Sequence, residues 1–154
     1  MALHKTAARL EERLRRLGLV VEVRELADST RTAAEAAAAV GAEVGQIVKS
    51  LVFTGPDGPL LCLCAGDRRV DVGKLGDGVR PARADAVREA TGFAIGGVPP
   101  LGHDRPLPTV VDESLHRFPL LWCAAGTPHA VFSVATERLL AALPDATVAD
   151  VTEA

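Results

Sequence analysis

Residues 46–65 read QIVKSLVFTGPDGPLLCLCA and predict the centre of a β-sheet. The two halves, QIVKSLVF and PLLCLCA, are rich in β-branched and aliphatic residues. Between them, GPDG combines proline, aspartate and glycine, which all favour a turn. The stretch is therefore interpreted as a β-hairpin.

Helices are predicted on the amino-terminal side of this hairpin and beyond it. Apolar residues at helical spacing predict an amphipathic helix near the start of the chain. Thr32 and Glu35 form a capping-box pattern ahead of the alanine run AEAAAAV, and Gly41 supplies the stop of this second helix. Further on, Asp71 and Asp85 are expected to cap two short helices.

The rest of the chain mixes strands and helices without strict alternation. PTVVD, PLLWCAAG, HAVFSVA and ATVADV have strand character, and ERLLAALP predicts a last helix. Together these segments predict an α+β fold, with one domain over residues 1–154 and a curved, barrel-like mixed sheet flanked by short helices.

Composition restricts the class of protein. Hydrophobic residues form 48% of the chain and charged residues 24%, as in proteins that bury a core. The net charge of -3 does not attract nucleic acid, so any nucleic-acid contact must come from a local patch. The first residues, MALHKTAARLEERLRR, carry charges where a signal peptide needs an apolar run, and we expect a cytoplasmic protein with no membrane contact.

Several common sites find no support in the sequence. Cys62 and Cys64 lie two residues apart in an apolar run, and the three cysteines are interpreted as buried thiols. No zinc-type spacing of cysteine and histidine occurs, so we expect no metal. The phosphate-loop, GxGxxG and GxSxG patterns are also absent, which removes the usual nucleotide-cofactor and esterase signatures.

Lys49 is the most unusual residue of the hairpin. On strand geometry it shares a face with Ile47, Leu51 and Phe53. An ammonium in such a run must be paired, reach the surface along its aliphatic stem, or take part in chemistry. In the last case it would project from a rigid strand and stabilise negative charge on an ester carbonyl.

The stretch from Gly96 to Gly102, GGVPPLG, is the second unusual feature. Its glycines expose backbone N–H groups and its prolines fix the shape, which suits close approach of a substrate. An ordinary connecting loop has the same composition. Asp112, at the end of PTVVD, can orient this loop, pair with a cation or cap the turn that follows.

The chain resembles the YbaK/prolyl-tRNA synthetase-associated domain family of aminoacyl-tRNA deacylases. The resemblance rests on six stretches, in family order and spacing from about residue 19 to 150: STRTAAEAAAAVG, QIVKSLVF, AGDRRVD, TGFAIGGVPPLGH, PTVVDESL and the AAG after Trp122. It implies hydrolysis of the ester between a wrong amino acid and tRNA, without a metal or other cofactor.

The resemblance also implies the site residues. Lys49 matches the functional lysine of the family, and Gly96 and Pro100 match its GxxxP loop, which lies beside the aminoacyl group. The other substrate-binding residues that we expect lie within this loop or at further characteristic positions of the family: Gly97, Val98, Pro99, Gly102, Asp112 and Gly126. Pro99 stands where many relatives carry a small polar residue such as serine, which leaves the identity of the substrate open.

Proline tRNA charged with Cys, Ala or Ser is the expected substrate, because prolyl-tRNA synthetase is the usual source of mischarged tRNA for this family. A synthetase pocket gains only ~1–3 kcal/mol from a methylene and cannot exclude smaller amino acids by size. The synthetase is a candidate partner, and we expect a monomer.

No general base is evident, so the nucleophile stays open between two routes. Either the vicinal hydroxyl of the terminal adenosine helps to activate water or the leaving oxygen, or the thiol of a cysteinyl substrate attacks its own carbonyl. The main alternative function is a non-catalytic module that binds aminoacyl-tRNA or a synthetase. A small-molecule esterase would need an activated nucleophile, which the sequence does not supply.

Overall fold

The computed structural model describes residues 3–27 and 32–154 and has the predicted α+β character. Part of the first stretch that carries the family resemblance, Ser29 to Arg31, lies outside the described residues. Within them there are four α-helices: α1 (Lys5–Arg16), α2 (Ala33–Val40), α3 (Ala84–Thr91) and α4 (Thr136–Ala141). None of these helices is long and apolar enough to cross a membrane.

Eight strands are found in the same part of the chain: β1 (Val23–Glu25), β2 (Val48–Gly55), β3 (Gly58–Ala65), β4 (Arg80–Pro81), β5 (Thr109–Asp112), β6 (Leu120–Ala124), β7 (Ala130–Ala135) and β8 (Thr147–Ala149). The predicted hairpin is confirmed as β2 and β3, which pair antiparallel from Val48↔Ala65 to Gly55↔Gly58. The predicted GPDG turn lies between these strands, because β2 ends at Gly55, β3 begins at Gly58, and the two glycines pair with each other.

The strands form two sheets. The larger has the order β4-β2-β3-β5-β8 and is mixed, because β5 runs parallel to β3 and to β8. The smaller has the order β1-β7-β6 and is antiparallel. An isolated parallel bridge between Ile47 and Trp122 joins them. The mixed sheet is thus confirmed, whereas closure into a barrel stays a prediction.

Three of the four helix caps and stops predicted from the sequence are confirmed. The Thr32 hydroxyl accepts a hydrogen bond from the backbone N–H of Glu35 at 3.1 Å, and Gly41 ends α2 with φ 73°. Asp71 caps its short 3-10 turn. The prediction that Asp85 caps α3 is wrong. The helix starts two residues earlier, with Arg83 at the cap position, so Asp85 lies in the first turn, where its charge still complements the helix dipole.

Two apolar clusters pack on opposite faces of the hairpin. Val48 and Val52 of β2 belong to the main core, which also contains Phe132 of the smaller sheet and the buried face of α1. Phe53, with Cys62 and Cys64 of β3, belongs to a second cluster on the other face. Because side chains alternate along a strand, Lys49 lies on the side of the second cluster and Ser50 on the side of the main core.

Candidate active site

A cleft of about 600 Å³ opens beside β2 where the two sheets separate. On the side of β2 away from β3, the described residues that bond to the strand are those of the bridge at Ile47, Ala82, whose N–H donates to the Val52 carbonyl, and β4, which pairs from Phe53 onward. The backbone between these points has no strand partner on that side. The edge of β2 is therefore open toward the cleft.

The walls of the cleft are mostly apolar. They come from α2, β2, β6 and β7, from the region of β4 and α3, and from the glycine-proline loop: Thr32, Ala33, Ala36, Val40, Ile47, Val48, Lys49, Ser50, Leu51, Val52, Phe53, Val72, Pro81, Ala82, Val87, Ile95, Gly96, Val98, Trp122, Cys123, Ala124 and Val131. No aspartate or glutamate occurs among these lining residues. Among the described lining residues, Lys49 is the one that carries a fixed charge.

Lys49 is half-buried at the cleft, and its ammonium donates a hydrogen bond to the backbone carbonyl of Arg68. It forms no salt bridge with any carboxylate of the described residues. A lysine ammonium has three N–H donors, so two remain for a ligand. The positive charge of Lys49 is thus held in place without being neutralised.

The loop that anchors Lys49 is itself fixed by an ion pair. Arg117 donates two hydrogen bonds to the Asp67 carboxylate, at 2.9 and 2.7 Å, next to Arg68. These bonds lower the pKa of Asp67 and raise that of Arg117. Gly66 adds a backbone hydrogen bond of 2.8 Å to the carbonyl of Ile47. The two residues before Arg68 are therefore both held in place.

Two residues of the predicted loop, Gly96 and Val98, line the cleft, but Gly97 between them faces away. A Cβ on Gly97 would lie 2.7 Å from the carbonyl oxygen of Gly126, whose own N–H donates to the Gly97 carbonyl at 2.9 Å. The structure thus brings Gly97 and Gly126 into backbone contact with each other. Substrate contact by either residue stays a prediction.

Pro99, Pro100 and Gly102 are buried and lie outside the cleft lining. The His103 ring contacts the Pro99 carbonyl at 2.7 Å, and burial lowers the pKa of that histidine. Arg13 of α1 donates to the Gly102 carbonyl at 2.6 Å. These contacts fix the position of the loop, and a direct role for its prolines in substrate binding stays a prediction.

Asp112 also lies apart from the cleft. It is 1% exposed, and its carboxylate accepts hydrogen bonds from the backbone N–H groups of Ser114 at 3.1 Å and Val151 at 2.9 Å. Of the roles considered from sequence, the geometry matches capping of the following turn. A contact between Asp112 and substrate stays a prediction.

The cysteines are buried thiols, as predicted. Burial raises the pKa of Cys62 to about 12 and that of Cys64 to about 11, and it also raises that of Cys123. All three are therefore protonated near neutral pH and unsuited to nucleophilic attack. No group of three or more His, Cys, Asp or Glu in residues 3–27 and 32–154 is arranged to hold a metal.

Two cleft residues have features that the sequence interpretation did not identify. Ser50 alternates with the apolar residues Val48 and Val52 on one face of β2, and its buried hydroxyl has no hydrogen-bond partner in the described residues. The half-buried ring of Trp122 also lines the cleft, with the Arg24 guanidinium 5.4 Å from the ring centre. A hydroxyl inside an apolar alternation was the available signal for Ser50.

Comparison with known proteins assigns the family. Residues 27–142 match the aminoacyl-tRNA editing domain. The chain belongs to this family. Editing of aminoacyl-tRNA is hydrolysis of the ester that joins the amino acid to tRNA, so this editing domain is an aminoacyl-tRNA deacylase.

Three relatives show how widely the domain occurs. A crystal structure of a candidate trans-editing enzyme for prolyl tRNA synthetase is 51% identical, with a TM-score of 0.92, over 99% of this editing domain and 100% of that chain. A candidate Cys-tRNA(Pro)/Cys-tRNA(Cys) deacylase of Enterococcus faecalis is 27% identical over 71% of this chain and 70% of its own. A proline–tRNA ligase of Lactobacillus gasseri is 40% identical over 46% of this chain but only 13% of the ligase.

Proposed function

We propose that this editing domain acts in trans on mischarged proline tRNA, with Lys49 stabilising the negative charge that develops on the ester carbonyl oxygen. The observation that carries the proposal is the Lys49 ammonium, which no carboxylate of the described residues neutralises, at a cleft to which those residues contribute no acid. A fixed cation in an apolar site interacts with developing charge more strongly than it would in water. Its hydrogen bond to Arg68 holds the ammonium ready before the substrate arrives.

The names of two relatives support proline tRNA as the substrate, since one structure is described as serving prolyl tRNA synthetase and one protein as acting on Cys-tRNA(Pro). Cys, Ala and Ser are the amino acids proposed for removal. Pro99 is buried and is not among the residues that line the cleft, so we propose that its difference from the family pattern affects the substrate through the position of the loop. We further propose that the domain acts as a monomer in the cytoplasm, with prolyl-tRNA synthetase as partner.

The test is release of the amino acid from proline tRNA charged with Ala, Cys, Ser or Pro. Lys49→Ala is expected to slow release of the mischarged amino acid by ~10²–10³-fold, the usual effect of removing one oxyanion donor. Lys74→Ala is the matched control, because the Lys74 ammonium also donates to a backbone carbonyl, that of Thr152 at 2.7 Å, but lies outside the cleft lining. Release by Lys49→Ala at the wild-type rate contradicts the mechanism.

Two further results separate the alternatives. Binding of mischarged tRNA without any hydrolysis supports the non-catalytic module and refutes the proposed activity. For the nucleophile, alanyl-tRNA whose terminal adenosine lacks the vicinal hydroxyl is expected to resist hydrolysis if that hydroxyl assists the reaction. Cysteinyl-tRNA with the same deletion remains a substrate if its own thiol attacks.

A further inference from the structure

The cleft contains one side-chain acceptor that the protein leaves unused. Ser50 lines the cleft, and its hydroxyl is buried without a hydrogen-bond partner among the described residues. Buried hydroxyl groups are normally hydrogen-bonded, because burial without a partner opposes folding. The only buried side-chain oxygen or nitrogen of residues 3–27 and 32–154 in this state thus lies at the proposed site of reaction.

The other polar side chains of the lining are unable to accept a hydrogen bond or are already engaged. Lys49 and Trp122 are donors only. The Thr32 hydroxyl accepts from the backbone of Glu35 and donates to its carboxylate at 2.9 Å. The Cys123 thiol is fully buried and a weak hydrogen-bonding group. Ser50 is therefore the uncommitted side-chain acceptor of the cleft.

The backbone carbonyl of Ser50 is also directed toward the open edge of β2. In an antiparallel pair, alternate residues direct their N–H and C=O groups to the same side of the strand. The carbonyl of Val52 accepts from Ala82 on the side away from β3, so the carbonyl of Ser50, two residues earlier, faces that side too. This is the open edge of β2. Because Ser50 lines the cleft, we expect both this carbonyl oxygen and the unpartnered hydroxyl oxygen to be available to a ligand there.

We propose that Ser50 binds the α-amino group of the aminoacyl ester, and this rests on the proposed function. An α-ammonium group needs acceptors, and the cleft lining formed by residues 3–27 and 32–154 contains no acidic residue, so that part of the chain supplies only neutral oxygens. Successive side chains of a strand point to opposite faces, so Lys49 meets the ester carbonyl from one side of β2 while Ser50 meets the amino group from the other. The two positive charges are kept apart by the strand. Ser50 is thus a determinant that favours aminoacyl over simple acyl esters.

The experiment uses two stable amide analogues of the tRNA 3′ end, alanyl-3′-amino-3′-deoxyadenosine and its propionyl counterpart, which lacks the amino group. Binding to the wild type, Ser50→Ala and Lys49→Ala is measured by calorimetry at pH 6.5, where an α-amino group is charged. We expect the wild type to bind the alanyl analogue at least ~10-fold more tightly, as for a hydrogen bond to a charged group. Ser50→Ala loses most of this preference, and Lys49→Ala retains it.

Thermal unfolding separates substrate binding from a structural role, because loss of a structural hydrogen bond of Ser50 would lower the Tm. Removing a buried hydroxyl that has no partner should leave the Tm of Ser50→Ala equal to or above that of the wild type. Equal weakening of both analogues, an unchanged preference, or a clear fall in Tm overturns the proposal. If the wild type prefers the alanyl analogue through Ser50 but releases no amino acid from any charged tRNA, the proposed hydrolysis fails while the amino-group site stands.

Discussion

Substitution of Gly97 by alanine tests how the cleft is built. The new Cβ would lie 2.7 Å from the Gly126 carbonyl oxygen, 2.8 Å from its carbonyl carbon and 2.9 Å from the Cα of Thr127. All three neighbours are backbone atoms, so no side chain can rotate away from the contact. The loop that carries Gly96 and Val98 must then separate from the loop at Gly126.

The cost follows from this geometry. Overpacking by one carbon costs ~1–3 kcal/mol, and contact with backbone atoms places Gly97→Ala near the upper end. Alanine also lowers the conformational entropy of the unfolded chain, which stabilises the folded protein by ~0.4–1 kcal/mol and offsets part of this cost. A net loss of about 2 kcal/mol lowers the Tm by roughly 4–8 °C for a chain of this size. Deacylation should fall as well, because Gly96 and Val98 are displaced from the cleft.

Gly73→Ala is the matched control for this substitution. The nearest atom to a Cβ on Gly73 is a carboxylate oxygen of Asp71 at 3.4 Å, and its φ is not positive. We expect this control to change the Tm by less than ~3 °C, the equivalent of ~1 kcal/mol. Differential scanning calorimetry on both variants, with deacylation rates measured in parallel, decides the matter. A Gly97→Ala protein with wild-type Tm and activity would refute the steric reasoning.

Three further predictions concern groups around the site. Arg117→Met should lower deacylation and cost ~1 kcal/mol of stability or less, since the ion pair of Arg117 with Asp67 is partly exposed. Because Arg117 lowers the pKa of Asp67, the stability from this pair is present above the pKa that Asp67 has in the unfolded chain and is lost as the pH falls through its pKa in the folded protein. The Tm difference between the variant and the wild type should therefore vanish in acid. Burial raises the pKa of all three cysteine thiols, so native protein at pH 8 should resist iodoacetamide and keep its activity, while unfolded protein reacts; rapid native alkylation contradicts this. Asp112→Ala should lower stability by ~1–3 kcal/mol, by leaving the Val151 N–H unpaired, without raising the KM for aminoacyl-tRNA; a raised KM would instead support substrate contact.

Structural features that depend on neighbouring residues could be predicted from the sequence. The GPDG turn, the Thr32 cap and the Gly41 stop each involve groups at most a few residues apart, so residue type alone identifies them. Asp85 shows that such signals locate a helix end only to within about two residues. Arg83 and Asp85 both lie near the start of α3, and the choice of cap shifts by two residues when the helix begins earlier than expected.

Contacts between distant segments could not be predicted in the same way. Gly97 has the same sequence signature whether its missing side chain makes room for a substrate or for Gly126. Asp67 and Arg117 are 50 residues apart, and nothing local indicates that they pair. Lys49 was singled out because a cation is unusual in an apolar strand, but its anchor on the Arg68 carbonyl depends on the path of the loop after β3.

The open edge of β2 links the fold to the proposed chemistry. An unpaired strand edge is normally a liability, because its free N–H and C=O groups can pair with other chains. Here the edge between Ile47 and Phe53 is enclosed by α2, β6 and the glycine-proline loop, so only a ligand that enters the cleft can reach it. If the two sheets paired along their full length, another strand would occupy this edge. Incomplete pairing is therefore what allows Lys49 and Ser50, neighbours in sequence, to serve one substrate from opposite faces of the same strand.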